Sequence, residues 1–163
     1  MRCDSQIKRS ARQRKRGVGC LEVAVASFLM VVLSALGVDV TLMVMACSIN
    51  DVACRDAARA AAQRNTSAQA LKAAQAELSV HSTDGKFISQ PTLSSTSSPD
   101  FVYNDYSGNP PANRSSYVTV TTAITVKVPA PIFFFGIPFL KSGSLQFRRR
   151  YTFPIIKQNF YAS

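Results

Sequence analysis

Tryptophan is missing from the 163-residue chain, and histidine occurs once, at His81. A multi-histidine metal centre is therefore excluded within one copy, and a Ser-His-Asp triad would have to be built on His81 alone. Cysteine is scarce and confined: Cys3, Cys20, Cys47 and Cys54 all lie in the first third, so the later part cannot be stapled to itself by disulfides. Cys47 and Cys54 are separated by roughly 10 Å of helical rise, beyond disulfide reach, and read as small packing residues. Acids are outnumbered, 9 Asp+Glu against 19 Lys+Arg, for a net charge of +10. Seven of those bases (Arg2, Lys8, Arg9, Arg12, Arg14, Lys15 and Arg16) crowd into residues 1–17 beside a single acid, Asp4. The excess thus belongs to a tail in front of an apolar run, which argues against nucleic acid as a partner. A Gly-rich phosphate loop, paired catalytic carboxylates and a nucleophile-base arrangement are also lacking, so neither an enzyme nor a cofactor is expected.

What is present begins with residues 18–50, whose only charged members are Glu22 and Asp39. Residues 18–45 meet the requirement of about 20 largely apolar residues for a bilayer span. Glu22 and Asp39 lie about 25 Å apart along a helix, so each can sit near one rim of the hydrocarbon layer. The preceding bases place the N-terminus in the cytoplasm and the rest outside. Residues 49–64 continue as an alanine-rich helical composition carrying Asp51, Arg55, Asp56 and Arg59. Asn65, Thr66 and Ser67 interrupt it, and Thr66 with Gln69 has the form of a capping box for a second helix over residues 67–78.

Residues 79–116 are rich in Ser, Thr, Asn, Asp, Gly and Pro and read as loop, with short strands expected at 86–89 and 101–106. His81 there is expected at the surface. Residues 117–128 alternate, with Val118, Val120, Ile124, Val126 and Val128 on one parity, and predict a half-buried strand. Leu145, Phe147, Tyr151 and Phe153 alternate likewise in a second strand, joined to the first without a crossover helix and so expected antiparallel. Arg149 stands on the apolar parity of that strand and needs an acidic partner or the sheet edge. The connection holds Phe133, Phe134, Phe135 and Phe139 among prolines. It is too short to span a membrane, and is either folded over the sheet or a contact surface for membrane or another subunit.

Arg14, Lys15, Arg16 and Gly17, then Val18, then Glu22 ahead of apolar sequence, resemble the processing site of type IV prepilins. The resemblance implies a cut by a membrane-embedded aspartyl prepilin peptidase between Gly17 and Val18, with the helix retained and Glu22 as the fifth mature residue. A carboxylate there is costly to bury unless paired, and a freshly exposed amine, on the same or a neighbouring subunit, would pair it and set helix register. Gly37, Val38 and Asp39, the stretch Ala57, Ala58, Arg59, Ala60 and Ala61, and a Val/Thr strand running into Pro129, Ala130, Pro131, Ile132 and Phe133 resemble the TadE family of pilus assembly proteins. In two places the chain departs from that family: Val23 follows Glu22 where an aromatic is usual, and the alanine-rich stretch lacks the usual glycine and second arginine.

The fold class expected is α+β. A single transmembrane helix extends into a long α-helix and is followed by a second helix and a small antiparallel sheet outside the cytoplasm. The divisions are a basic cytoplasmic leader (1–17), transmembrane helix (18–48), alanine-rich extracytoplasmic helices (49–78) and a loop and sheet region (79–163). The resemblance implies a bacterial cytoplasmic-membrane pseudopilin or minor pilin of a Tad-type pilus, whose partners are the prepilin peptidase, other pilus subunits and membrane lipid. Two other readings use the same residues: an uncleaved, signal-anchored binding module, and a secreted domain cut after Gly37.

Overall fold

The apolar run and the alanine-rich stretch after it form one helix, α1 (Cys3–Ala62), followed by α2 (Ser67–Val80). The computed structural model describes residues 3–127, 133–134, 137–138 and 143–156; for 3–18, 133–134 and 137–138 this extends to backbone alone. The strands are β1 (Thr92–Leu93), β2 (Phe101–Asn104), β3 (Tyr117–Lys127), β4 (Phe133–Phe134), β5 (Ile137–Pro138) and β6 (Ser144–Pro154). The chain falls into two units, one ending at Asp39 and one beginning at Val40. The expectation of a long apolar helix, a second helix and a small antiparallel sheet agrees with this α+β architecture.

In the second unit β3 is the hub. β6 pairs antiparallel with its whole length, from Tyr117↔Pro154 to Lys127↔Ser144. The opposite edge is shared end to end by β2, against residues 117–120, and β1, against Thr122 and Ala123. Residues 86–89 contribute a single bridge, Ile88↔Val126, in place of the expected strand. That bridge is set by Asp84, whose Oδ2 and Oδ1 accept from the amides of Phe87 (3.0 Å) and Ile88 (2.9 Å). Gly85 supplies the positive φ, +64°, that the turn requires.

Residues 40–62 of α1 pack on the sheet through a buried face of small side chains, with Leu42 and Ile49 partly buried beside it. Ala46, Asn50, Ala53, Cys54, Ala57, Ala58, Ala61 and Ala62 are all buried, at the three- and four-residue spacings of one helix face. Val118, Val120, Thr122, Ile124 and Val126 of β3 are buried on the facing side. Ala46 clusters with Ile124 and Val126, while Ala53, Ala57 and Ala61 cluster with Val118 and Val120. The helix therefore runs opposite to β3. Four helical residues rise about 6 Å and two strand residues about 6.6 Å, so the two repeats stay matched over the contact.

Between the two apolar clusters lies a polar join. The Thr122 hydroxyl donates to Asn50 Oδ1 at 2.8 Å, and Asn50 Nδ2 donates to the Phe147 carbonyl at 3.2 Å. One turn on, the Cys54 thiol lies 3.4 Å from the Val120 carbonyl and 3.3 Å from that of Arg149. α1 is closed off by the sheet side as well, Ile156 N donating to the Ala62 carbonyl and the Tyr103 hydroxyl to that of Arg64. Thr66 then caps α2, its hydroxyl accepting from Gln69 N as the capping pattern predicts. Ala70, Ala74 and Leu78 are the buried residues of α2.

Removing either half of the Asn50–Thr122 pair leaves a buried polar atom unmatched, a cost of about 1–3 kcal/mol. Thr122→Val and Asn50→Ala are each expected to lower the stability of the detergent-solubilised chain, and the double variant to cost less than the sum. Additive losses in denaturant titrations would show the pair to be uncoupled.

Asp84 is held below the usual carboxylate range by the amides of Phe87 and Ile88. Its contribution is therefore complete above its unfolded value of about 4 and is lost as pH falls through the lowered folded value. Asp84→Ala should destabilise the Ile88 turn at neutral pH, seen as faster amide exchange there. The difference from wild type should close under acid conditions.

Candidate functional site

The first unit is dominated by apolar side chains facing outward in every direction. Leu21, Val23, Val25, Phe28, Leu29, Met30, Val31, Leu33, Leu36 and Val38 are all exposed, and successive exposed positions cover the full circumference of a helix. The stretch is long and apolar enough to cross a membrane. Ser27 and Ser34 turn their hydroxyls back onto the carbonyls of Val23 and Met30, at 2.8 and 2.7 Å, leaving little polarity on that surface.

Gly17 and Val18, the expected processing positions, lie within α1. Glu22 lies one turn beyond and is exposed. Asp39 differs: it is 5% exposed, and its Oδ1 has no hydrogen-bond donor. The two acids read as equivalent rim charges thus have opposite environments, one open and one enclosed. Phe133 and Phe134 form β4, which pairs with β5. Their side chains, and Phe135 and Phe139 entirely, lie outside the described residues.

At the margin between α1 and β6, a charged cluster answers the question posed by Arg149. Asp51 Oδ1 accepts from the Tyr151 hydroxyl at 2.9 Å and lies 3.8 Å from Arg149 Nε, while its Oδ2 binds Arg55 at 2.9 Å. Arg55 and Arg59 in turn lie over the rings of Tyr151 and Phe153, at 5.3 and 5.7 Å. Arg149 has both of the solutions anticipated for it, an acid and an outer strand that leaves it exposed. Asp51 itself carried no sequence signal beyond its place on a helix. On the opposite sheet face Arg150 reaches Asp100 at 3.5 Å, the Thr121 hydroxyl and the Pro99 carbonyl.

Three further acids among the described residues have structural partners. Asp84 holds the Ile88 turn, Asp100 faces Arg150, and Asp105 caps the short 3-10 turn Tyr106–Gly108 by accepting from Ser107 N. His81, expected at the surface, is instead partly buried as the C-cap of α2 and lies 3.6 Å from Asp56. An open cleft of about 330 Å³ runs between the end of α2 and β1, lined by Gln75, Leu78, Gln90 and Leu93 among others.

Cys20, Cys47 and Cys54 are free thiols. Burial pushes the Cys54 thiol up, against opposing hydrogen bonds from Thr122 and Tyr151. Since the thiolate is the reactive form, Cys54 should be modified by a water-soluble maleimide far more slowly than the half-exposed Cys47 at neutral pH, and at an ordinary rate once the chain is unfolded. Equal rates in the folded chain, read by peptide mapping, would contradict the enclosed position.

Set against known proteins, the chain matches no family model, no curated protein and no solved structure.

Proposed function

We propose that this chain is a membrane-anchored pseudopilin or minor pilin, trimmed between Gly17 and Val18 by a prepilin peptidase and taking part in assembly of a Tad-type pilus in the bacterial cytoplasmic membrane. The observation that carries the reading is the order of features at the head of α1: a basic segment, Gly17, an exposed Glu22, and then a helix whose apolar side chains face outward all round. Such a surface is stable in lipid or among like helices and unfavourable in water, which supports retention of the helix.

In this reading the role is structural. Glu22, accessible on the helix surface, pairs with the amine released by trimming, either its own or a neighbour's, and so selects one axial register when helices bundle. Asp39, already enclosed, is a poorer candidate for that intermolecular pairing. The residues from 49 onward then form an extracytoplasmic part that presents the loop and sheet to other subunits.

N-terminal sequencing of the protein from a peptidase-competent host tests the reading. The expected start is Val18; Met1 would indicate an uncleaved anchor, and Val38 a secreted domain. Gly17→Ala should block trimming without affecting membrane insertion. Glu22→Ala should be trimmed normally but lose incorporation, and pilus number unchanged in that variant would remove the register role.

A further inference from the structure

A second constellation, independent of the pilus reading, lies where the end of α2 meets α1. Asp56 projects from α1, while Glu77 lies in the last turn of α2 and His81, its C-cap, follows four residues on. One donor atom from each lies within 4.8 Å of the other two, and all three residues are partly buried. His81 Nε2 and Asp56 Oδ2 are 3.6 Å apart.

We propose that Asp56, Glu77 and His81 form a binding site for a divalent transition-metal ion, with zinc the best match. The i, i+4 spacing aims two donors to the same side of one helix, and the third comes from a different helix, so the set converges on a point. Zinc bonds of about 2.0–2.2 Å at tetrahedral angles place neighbouring donors about 3.4 Å apart. The His81–Asp56 separation is already close to that value, and rotation of the flexible Glu77 side chain brings the third donor in. An imidazole joined to two carboxylates is a donor set for zinc and its first-row neighbours, whereas calcium and magnesium favour oxygen alone. Three protein donors leave a fourth position for water or for a group on a partner.

Charge and packing both give the ion a purpose. Two carboxylates held this close repel each other, and a dication neutralises both. α2 buries two alanines and a leucine, with Leu71 partly buried against the same cluster, a thin apolar contact for a helix of 14 residues. Its beginning is tethered to α1 by the short link at 63–66, while Glu77 and His81 lie at its other end. A metal there fastens the end that the link does not.

Zinc titration of the full-length chain in detergent, by calorimetry and by melting temperature, tests the site. Saturable 1:1 binding is expected, with a melting temperature that rises with zinc concentration. His81→Gln and Glu77→Gln should each weaken binding by at least about tenfold, on the scale seen when metal-site partners are lost. Because Glu77→Gln also relieves repulsion, its zinc-free melting temperature should equal or exceed wild type, which separates lost ligation from lost folding. Cobalt substituted for zinc should give a tetrahedral visible spectrum without a thiolate charge-transfer band. The proposal is overturned by no saturable binding, by affinity unchanged in both variants, or by a dominant thiolate band that assigns the ion to cysteine.

Discussion

A helix can approach a sheet only as closely as the side chains between them allow, and over residues 53–62 of α1 that limit is set by alanine. Residues 53–62 of α1 present mainly methyl groups to β3, and the helix's polar side chains reach the sheet's own carbonyls. The Asn50–Thr122 pair depends on this closeness. So do the Asp51–Tyr151 bond and the donation from Ile156 to the end of α1. Alanine contributes little hydrophobic area per residue. The large apolar side chains come from the sheet side, and the polar join fixes which turn of the helix lies over which strand residue, something methyl groups alone leave loosely specified.

The two ends of α1 present different surfaces. Around residues 21–38 almost every large apolar side chain is exposed; from 46 onward the buried residues keep to one face and charges take the others. One helix thus changes from an all-round apolar surface to an amphipathic one, and that change is what a membrane-anchored subunit needs from a single element. The proposed role in pilus assembly rests on this change together with the residues around Gly17.

Much of this was visible in the residues themselves. The alternation from Val118 to Val126 marked β3, the matching alternation marked β6, and Thr66 with Gln69 marked the start of α2, because each signal is repeated within a short window. β1 escaped notice since two residues carry no period, and the Lys86 region was overrated because its backbone is organised by Asp84 rather than by alternation. Buriedness of Thr119, Thr121 and Ala123 was also missed: the second face of β3 is covered by neighbours such as Thr152 and Arg150 and not by apolar periodicity. Partners were the least legible. Arg149 announced that it needed an acid, but Asp51 lies 98 positions earlier, and nothing local to His81 pointed to Asp56.

The opposed, matched run of α1 along β3 also governs how the second unit bears mechanical load. Tension applied along the helix axis does not peel contacts away one at a time; it tries to slide the whole helix past the strand. Every methyl seated over the sheet, the asparagine amide and the threonine hydroxyl resist at once, as rungs do when a ladder is sheared. Pulled sideways from its Ala62 end, the same interface opens sequentially and yields to far less force, so this fold is strong along one direction and weak across it.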